Sequence, residues 1–316
     1  MKKLFVVTLL SVLMVPLSAA AVQKKNTPVK KAKAQFIVIE SGEYTAGQED
    51  ARLTAGLGNF LGMEPVVTKM NHLQALQDET LADLDYSFLP LYLIKKTDGV
   101  REKMERPLKQ GVVQETADYI VLTHQTRTGV YTAKEAKPNV MEIFVMSQCP
   151  YGVLAEKAVI KAQKAGELPK DKTIRLRYIV NYDPNKGFSS MHGAAEWEED
   201  VRQLLIAKYY PAKLWKYLEI RNQDAGSSRW DKAMEAAGIN ANKIMKKFDT
   251  EGLELLKQEA AYGKEYAINA SPTFLWEGKV LSDFNGASQI EGFSFLKPSR
   301  VYGGNAAAPA APAGSC

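Results

Sequence analysis

The chain has 316 residues, 46% of them hydrophobic and 24% charged, with a formal net charge of +5. That surplus is too slight to imply a nucleic-acid partner, and it narrows further without Lys2 and Lys3 at the start of the chain. Only two cysteines, Cys149 and Cys316, are present, which excludes the disulfide scaffold of small secreted domains and leaves the fold to its core.

The first residues read Met1-Lys-Lys, then an apolar stretch over 4–17, then Ser18-Ala-Ala-Ala21. This is the pattern of a secretory leader cleaved after Ala21, which predicts a periplasmic or secreted protein. No cysteine follows that site, and no later segment approaches about 18 apolar residues, so neither a lipid nor a transmembrane anchor is expected. The remaining length, about 295 residues, suggests two domains. Residues 22–35, rich in lysine, read as a solvated basic linker.

The next elements alternate. Strands are expected at 36–39, 65–70, 89–94 and 119–123, with Pro90 at the start of the third, and helices at 51–61, 73–84 and 102–110. Such alternation implies a partly parallel sheet with helices on its faces. A charged, proline-broken stretch at 134–139 marks a boundary between a first domain, 36–136, and a second, 137–302. The second begins with a strand at 140–146, a helix at 152–165 and a strand at 173–180. Residues 191–266 are helical in pattern. A strand at 270–276 then turns at Glu277-Gly278 into 279–281, and a last helix is expected over 285–295. Residues 303–316, rich in Ala, Pro and Gly, read as a flexible tail with Cys316 at its tip.

The chemistry concentrates at Ser147-Gln-Cys-Pro-Tyr-Gly152. A cysteine between a buried strand and a helix start lies where unpaired amide groups and the helix dipole favour the thiolate. Pro150 suits the first helical turn, where its missing N–H costs nothing. Far along the chain, Ala270-Ser-Pro-Thr273 places a proline at the entry of a strand.

Taken together, these two motifs resemble the thioredoxin-fold, DsbA-like thiol-disulfide oxidoreductases, in which a helical insertion separates the cysteine half from a cis-proline half. The resemblance covers about residues 140–300. It implies that Cys149 is the nucleophile, that Pro150 and Tyr151 are the two residues that normally separate paired cysteines, and that Pro272 is the cis-proline. It also implies that Ser271, beside Pro272 and Thr273, lends its backbone to a bound substrate strand. The fold class expected is therefore α/β: a thioredoxin-like fold with a helical insertion, preceded by a second, degenerate thioredoxin-like domain without cysteine. The resemblance further implies exchange on protein or peptide disulfides, oxidoreductase or isomerase in type, with a small thiol or a protein as reductant and no cofactor.

One position departs from that family. Gly152 stands where a second cysteine is usual, so this is a single-cysteine variant. Exchange needs only one thiolate, and release then falls to a small thiol, another cysteine of the substrate or Cys316, the one internal candidate, which reads equally as an incidental terminal cysteine or one that pairs between molecules. Fourteen residues from Gly303 extend to about 45 Å and average roughly 20 Å end to end, giving an effective concentration on the order of millimolar. The other class of reading is a non-catalytic peptide-binding or chaperone-like module that keeps the groove and has lost turnover.

Further candidates are weaker. The stretch Ser190-Met-His-Gly-Ala-Ala-Glu196 resembles, over a few residues, a motif of the lysosomal thiol reductases, with His192 expected at a helix start or on the surface. Glu196, Glu198, Glu199 and Asp200 read as a solvated helix face. The aromatic residues Tyr209, Tyr210, Trp215 and Tyr217 have the spacing of helix-packing core, with a peptide groove as the functional alternative. His72, His124 and His192 are isolated, so no metal site is expected.

Overall fold

A computed structural model of the chain describes residues 31–44, 48–122 and 128–303. The expected leader, the basic linker up to residue 30, His124 and the tail with Cys316 lie outside the described residues. No helix among the described residues is long and apolar enough to cross a membrane.

The chain opens with β1 (Lys33–Glu40), whose alternate residues Ala34, Phe36 and Val38 are buried, then α1 (Ala51–Leu61) and β2 (Glu64–Asn71) parallel to β1. Asp50 caps α1 through the Arg52 amide, and Gly62 ends it in the left-handed region at φ 70°. The helix expected over 73–84 is only one turn long, α2 (His72–Ala75). Asn71 and Gln74 form a capping box that starts it. Asp78 then accepts from the Thr80 amide and hydroxyl, and this local turn competes with further helix.

Pro90 changes the assignment of the next strand. Phe88 and Leu89 form β3 in one sheet, the Leu89–Pro90 bond is cis, and β4 (Leu91–Lys95) pairs antiparallel with β1 in another. Then follow α3 (Asp98–Lys109), β5 (Val113–Glu115) and β6 (Tyr119–Leu122), giving a five-stranded sheet ordered β2-β1-β4-β6-β5. The β-α-β-cis-proline-β order is that of a thioredoxin-like half. It departs afterwards, because a helix and two short strands follow β4 in place of an immediate hairpin.

The second sheet is ordered β3-β7-β13-β12-β8-β9. In it β8 (Val140–Val145) lies between β12 and the edge strand β9 (Thr173–Tyr178), to which it is parallel and joined through α4 (Pro150–Ala165). A hairpin of β10 (Asn181–Asp183) and β11 (Gly187–Ser189) follows, which the sequence reading left unassigned. The helical insertion comprises α5 (Ala194–Tyr209), α6 (Leu214–Arg221), α7 (Trp230–Ala236), α8 (Ala241–Met245) and α9 (Leu253–Glu265). After cis-Pro272, β12 (Thr273–Trp276) lies antiparallel to β8 and turns at Glu277-Gly278, both at positive φ, into β13 (Val280–Ser282). The last helix is shorter than expected: α10 (Phe284–Gln289) stops, Gly292 sits at φ 88°, and a 3-10 turn precedes α11 (Pro298–Val301).

This is the thioredoxin-like order with a helical insertion. Its sheet crosses the boundary drawn at residue 136, since β3 and β7 (Gly129–Tyr131) form its edge. The Tyr131 hydroxyl donates to the Tyr266 carbonyl, and its ring packs edge-on against Tyr266. The first half thus completes the second half's sheet.

Beneath β8 lies a buried ionic network. Glu142, wholly buried, accepts from Arg177 on β9 (Nη2–Oε1 2.6 Å) and from the Tyr262 hydroxyl on α9, while Arg177 also grips Glu259 at 2.7 Å. Burial opposes ionisation of Glu142, but Tyr262, Arg177 and Lys137 outweigh it and hold the carboxyl below its usual range. Removing the guanidinium leaves Glu259 without its cation and Glu142 with only the more distant Lys137, 3.5 Å away. Arg177→Met is therefore expected to cost about 3–5 kcal/mol in urea unfolding, and a change under about 1 kcal/mol contradicts this assignment.

Candidate functional site

Cys149 is the N-cap of α4, with extended backbone (φ −70°, ψ 123°), Pro150 at the first helical position and no side-chain cap bond. Its amide donates to the Met146 carbonyl at 3.0 Å, closing the turn between β8 and α4, and its carbonyl accepts from Val153 at 2.9 Å. Val153, Ala155, Val159 and Ala162 anchor the helix in the core, so the turn has little freedom.

The cis-proline loop packs directly on this turn. The Met146 amide donates to Ser271 Oγ at 3.0 Å, and the Ser271 carbonyl oxygen lies 3.7 Å from Cys149 Sγ. Ser271 and Thr273 are buried and Pro272 half-buried, with the Thr273 hydroxyl tied to the Ala270 carbonyl at 2.6 Å. Pro150 is exposed and Tyr151 half-buried on the outer side of the helix start. The structure therefore brings Cys149, Ser271 and Pro272 together, with Pro150, Tyr151 and Thr273 around them.

The state of the sulfur differs from the expected accessible thiol. Cys149 is disulfide-bonded and fully buried, and no cysteine among the described residues is free. A disulfide sulfur carries no proton, so the 3.7 Å approach to the Ser271 carbonyl is a contact rather than a hydrogen bond. For the same reason the helix dipole acts on ionisation only once the bond is opened.

Gly152 is more than a missing cysteine. A Cβ placed there lies 2.6 Å from Ser271 Oγ, 3.1 Å from the Met146 carbonyl oxygen and 3.2 Å from Val145 Cβ. The first turn of α4 is packed so closely against the cis-proline loop that no side chain fits without displacing Ser271 from the Met146 amide. The second sulfur cannot simply be put back in the helix.

The carboxylates of α5 overturn the expectation of a solvated face. Glu196, Glu199 and Asp200 are buried, and only Glu198 of the four is partly exposed. Glu199 is fully engaged: Arg202 Nε at 2.9 Å, Gln203 Nε2 at 3.0 Å and the Tyr217 hydroxyl at 2.7 Å, with Arg221 Nε at 3.3 Å. Glu156, from the inner face of α4, receives Asn222 on one oxygen and has no hydrogen-bond partner on the other. Burial, aided by the Glu199 charge, pushes Glu156 up to about 7. Asp200 lies beside Ser147, yet neither of its oxygens finds a partner in good geometry, because the Ser147 hydroxyl donates to the Glu196 carbonyl at 3.1 Å. Burial, with Glu196 and Glu199 adding to it, pushes Asp200 well above the usual carboxyl range.

Sequence reasoning missed this cluster because acidic residues on a helix are usually solvated. Their alternation with Val201, Leu205 and Ile206, also buried, is the signal that α5 is enclosed on most sides. The aromatic run behaves as helix-packing core: Tyr217 is fully buried and bonded to Glu199, and Tyr209 donates to Glu251 at 2.5 Å. Trp215 lines a cavity of about 570 Å³ between β9 and α5, α6 and α9, which none of the cysteine-turn or cis-proline residues reaches. Among the described residues no group of three or more His, Cys, Asp or Glu is placed to hold a metal ion.

No family model and no curated protein matches the chain. Among solved structures, DsbA from Klebsiella pneumoniae is 14% identical, with 56% of this chain and 94% of that one covered at a TM-score of 0.37. BdbD from Bacillus subtilis gives 16%, 52%, 90% and 0.39 for the same quantities. A DsbA from Proteus mirabilis carrying a non-covalently bound peptide gives 14%, 57%, 94% and 0.38.

Two measurements check the packing and the electrostatics. Gly152→Ala is expected to cost about 1–3 kcal/mol by overpacking, and the Gly152→Ala/Ser271→Ala pair less than the sum of the single changes, since removing Oγ makes room. Strict additivity in denaturant unfolding contradicts the close approach. Because the Glu156 carboxyl titrates higher folded than unfolded, the unfolded chain loses its proton first as pH rises. Stability is then lost between pH about 4.5 and about 7 and is constant above. Glu156→Gln is expected to remove that slope and add about 2–4 kcal/mol above pH 7; an unchanged pH profile contradicts it.

Proposed function

We propose that this chain is a DsbA-like thiol-disulfide exchange protein, exported by its leader, in which Cys149 is the nucleophile and Cys316 supplies the second sulfur. The observation that carries the reading is a half-cystine at the start of α4 whose sulfur faces the carbonyl of the residue before cis-Pro272. The cysteine count supports the pairing, since Cys316 is the one other cysteine in the chain.

The cycle balances as follows. The Cys149 thiolate attacks one sulfur of a substrate disulfide, forming a Cys149–substrate bond and expelling the other substrate sulfur as a thiolate, which takes up a proton. The Cys316 thiolate then attacks Cys149 Sγ, releasing the second substrate thiol and leaving the Cys149–Cys316 disulfide. An external small thiol or dithiol protein supplies two electrons and two protons to reopen it. Residues of this chain have separate parts: α4 favours the thiolate by its N-terminal amides, the Ser271 backbone aligns an extended substrate strand, and Gly152 keeps the helix turn free of a competing sulfur. Peptide binding by the Proteus relative fits a protein or peptide substrate.

Full burial of Cys149 favours, as a second reading, a peptide-binding module closed by its own disulfide. Insulin reduction, or repair of scrambled disulfides, with wild type, Cys149→Ser and Cys316→Ser decides between them. Exchange predicts activity abolished by Cys149→Ser and slowed by about tenfold or more in Cys316→Ser without added small thiol. Activity that is absent throughout, or indifferent to Cys149, favours the binding module.

A further inference from the structure

The two residues that precede Cys149 hang from a single residue of the helical insertion, one from its side chain and one from its backbone. The Gln148 amide donates to Glu196 Oε1 at 3.1 Å, and the Ser147 hydroxyl donates to the Glu196 backbone carbonyl at 3.1 Å. Glu196 is fully buried, and it is 47 residues beyond the cysteine in sequence, so a long-range contact fixes the turn. The side chain of His192, about one-third exposed, meets the same carboxylate oxygen as the Gln148 amide. Its Nδ1 is 2.7 Å from Glu196 Oε1, and its amide donates to Oε2 at 3.2 Å. The carboxylate is thus shared between the loop that carries the sulfur and a histidine at the surface.

A carboxylate held on the amide of Gln148, the residue before the N-cap of α4, acts against the helix. The helix amides favour a negative sulfur, while the Glu196 charge opposes it through a poorly solvated path. An imidazole on that same oxygen offsets this opposition when it carries its proton. Other ionisable groups around the turn are Tyr151 and the buried Glu156 on α4, Asp200, buried beside Ser147, and Glu199 behind it, whose charge is already met by Arg202 and Arg221. Ser271, Pro272 and Thr273 of the cis-proline loop carry none.

We propose that His192 and Glu196 form a positioning and charge-balancing pair that sets how readily Cys149 ionises in the reduced protein. Glu196 holds the turn by its two acceptors, and His192 offsets the charge that this hold brings close to the sulfur. The inference rests on Cys149 being the reactive sulfur. Neither residue touches substrate in this role.

The two members act on the sulfur with opposite sign, which a purely structural role does not produce. In full-length Cys316→Ser protein, reduced so that Cys149 is the one thiol, thiolate absorbance at 240 nm is followed against pH; this readout needs no reagent access. His192→Gln leaves the carboxylate uncompensated and is expected to raise the Cys149 pKa by about 0.5–1. Glu196→Gln keeps an amide oxygen for Gln148 and is expected to lower it by a similar amount, and the double variant returns close to the parent. Both single changes moving the titration in one direction, or His192→Gln leaving it unmoved, overturns the proposal. His192 is at the surface, so its variant tests the idea even where Glu196→Gln fails to fold. Opposite shifts in a protein that lacks exchange activity sustain the pair and refute the exchange reading instead.

Discussion

The packing of Ser271 against the first turn of α4 is the constraint on which this site depends. One side chain and one carbonyl of that residue meet three partners: Oγ receives the Met146 amide, the carbonyl faces Cys149 sulfur, and the space beside Oγ is the space a side chain at Gly152 needs. Two segments more than 120 residues apart are thereby joined as one surface. The strand pairing of β12 with β8 brings them to the same end of the sheet, and the buried ionic network around Glu142 holds β8, β9 and α9 in register beneath it. A helix start that is this tightly covered has room for one sulfur. A partner sulfur must therefore approach from outside the helix, which is what separates this site from a helix carrying two cysteines in one turn.

Much of the architecture was legible in the sequence, because the strong signals are local. Apolar runs bounded by proline and glycine marked β8, β12 and the Glu277-Gly278 hairpin, and the cysteine turn followed from strand, Cys-Pro and helix in succession. Less legible was anything decided by distant packing. Pro90 signalled a strand start, but nothing local said that Leu89 pairs into the second sheet while Leu91 pairs into the first. The β10–β11 hairpin had a usable signal in Asp183-Pro-Asn-Lys-Gly187 between Tyr182 and Phe188: Asp183 accepts from the Asn185 and Lys186 amides and Gly187 takes φ 79°.

The acidic face of α5 was misread for a physical reason. Four acidic residues in five positions look solvated when each is priced alone, since an isolated carboxylate is costly to bury. Here Glu199 is matched by Arg202, Arg221, Gln203 and Tyr217, Glu196 by the Cys149 turn and His192, while Glu156 and Asp200 shift toward the neutral acid. Sequence shows the charges but not the partners. The same limit applied to the sulfur: a cysteine at a helix start is legible, and its oxidation state is not.

The account stands or falls on which sulfur is joined to Cys149. Digestion of the unreduced protein under acidic conditions that prevent exchange, followed by mass spectrometry of the linked peptides, reads this directly. The account predicts one peptide pair, joining the segment around Cys149 to the C-terminal Gly-Ser-Cys316, that separates on reduction. Recovery of Cys316 as a free thiol, or joined to Cys316 of a second molecule, contradicts it.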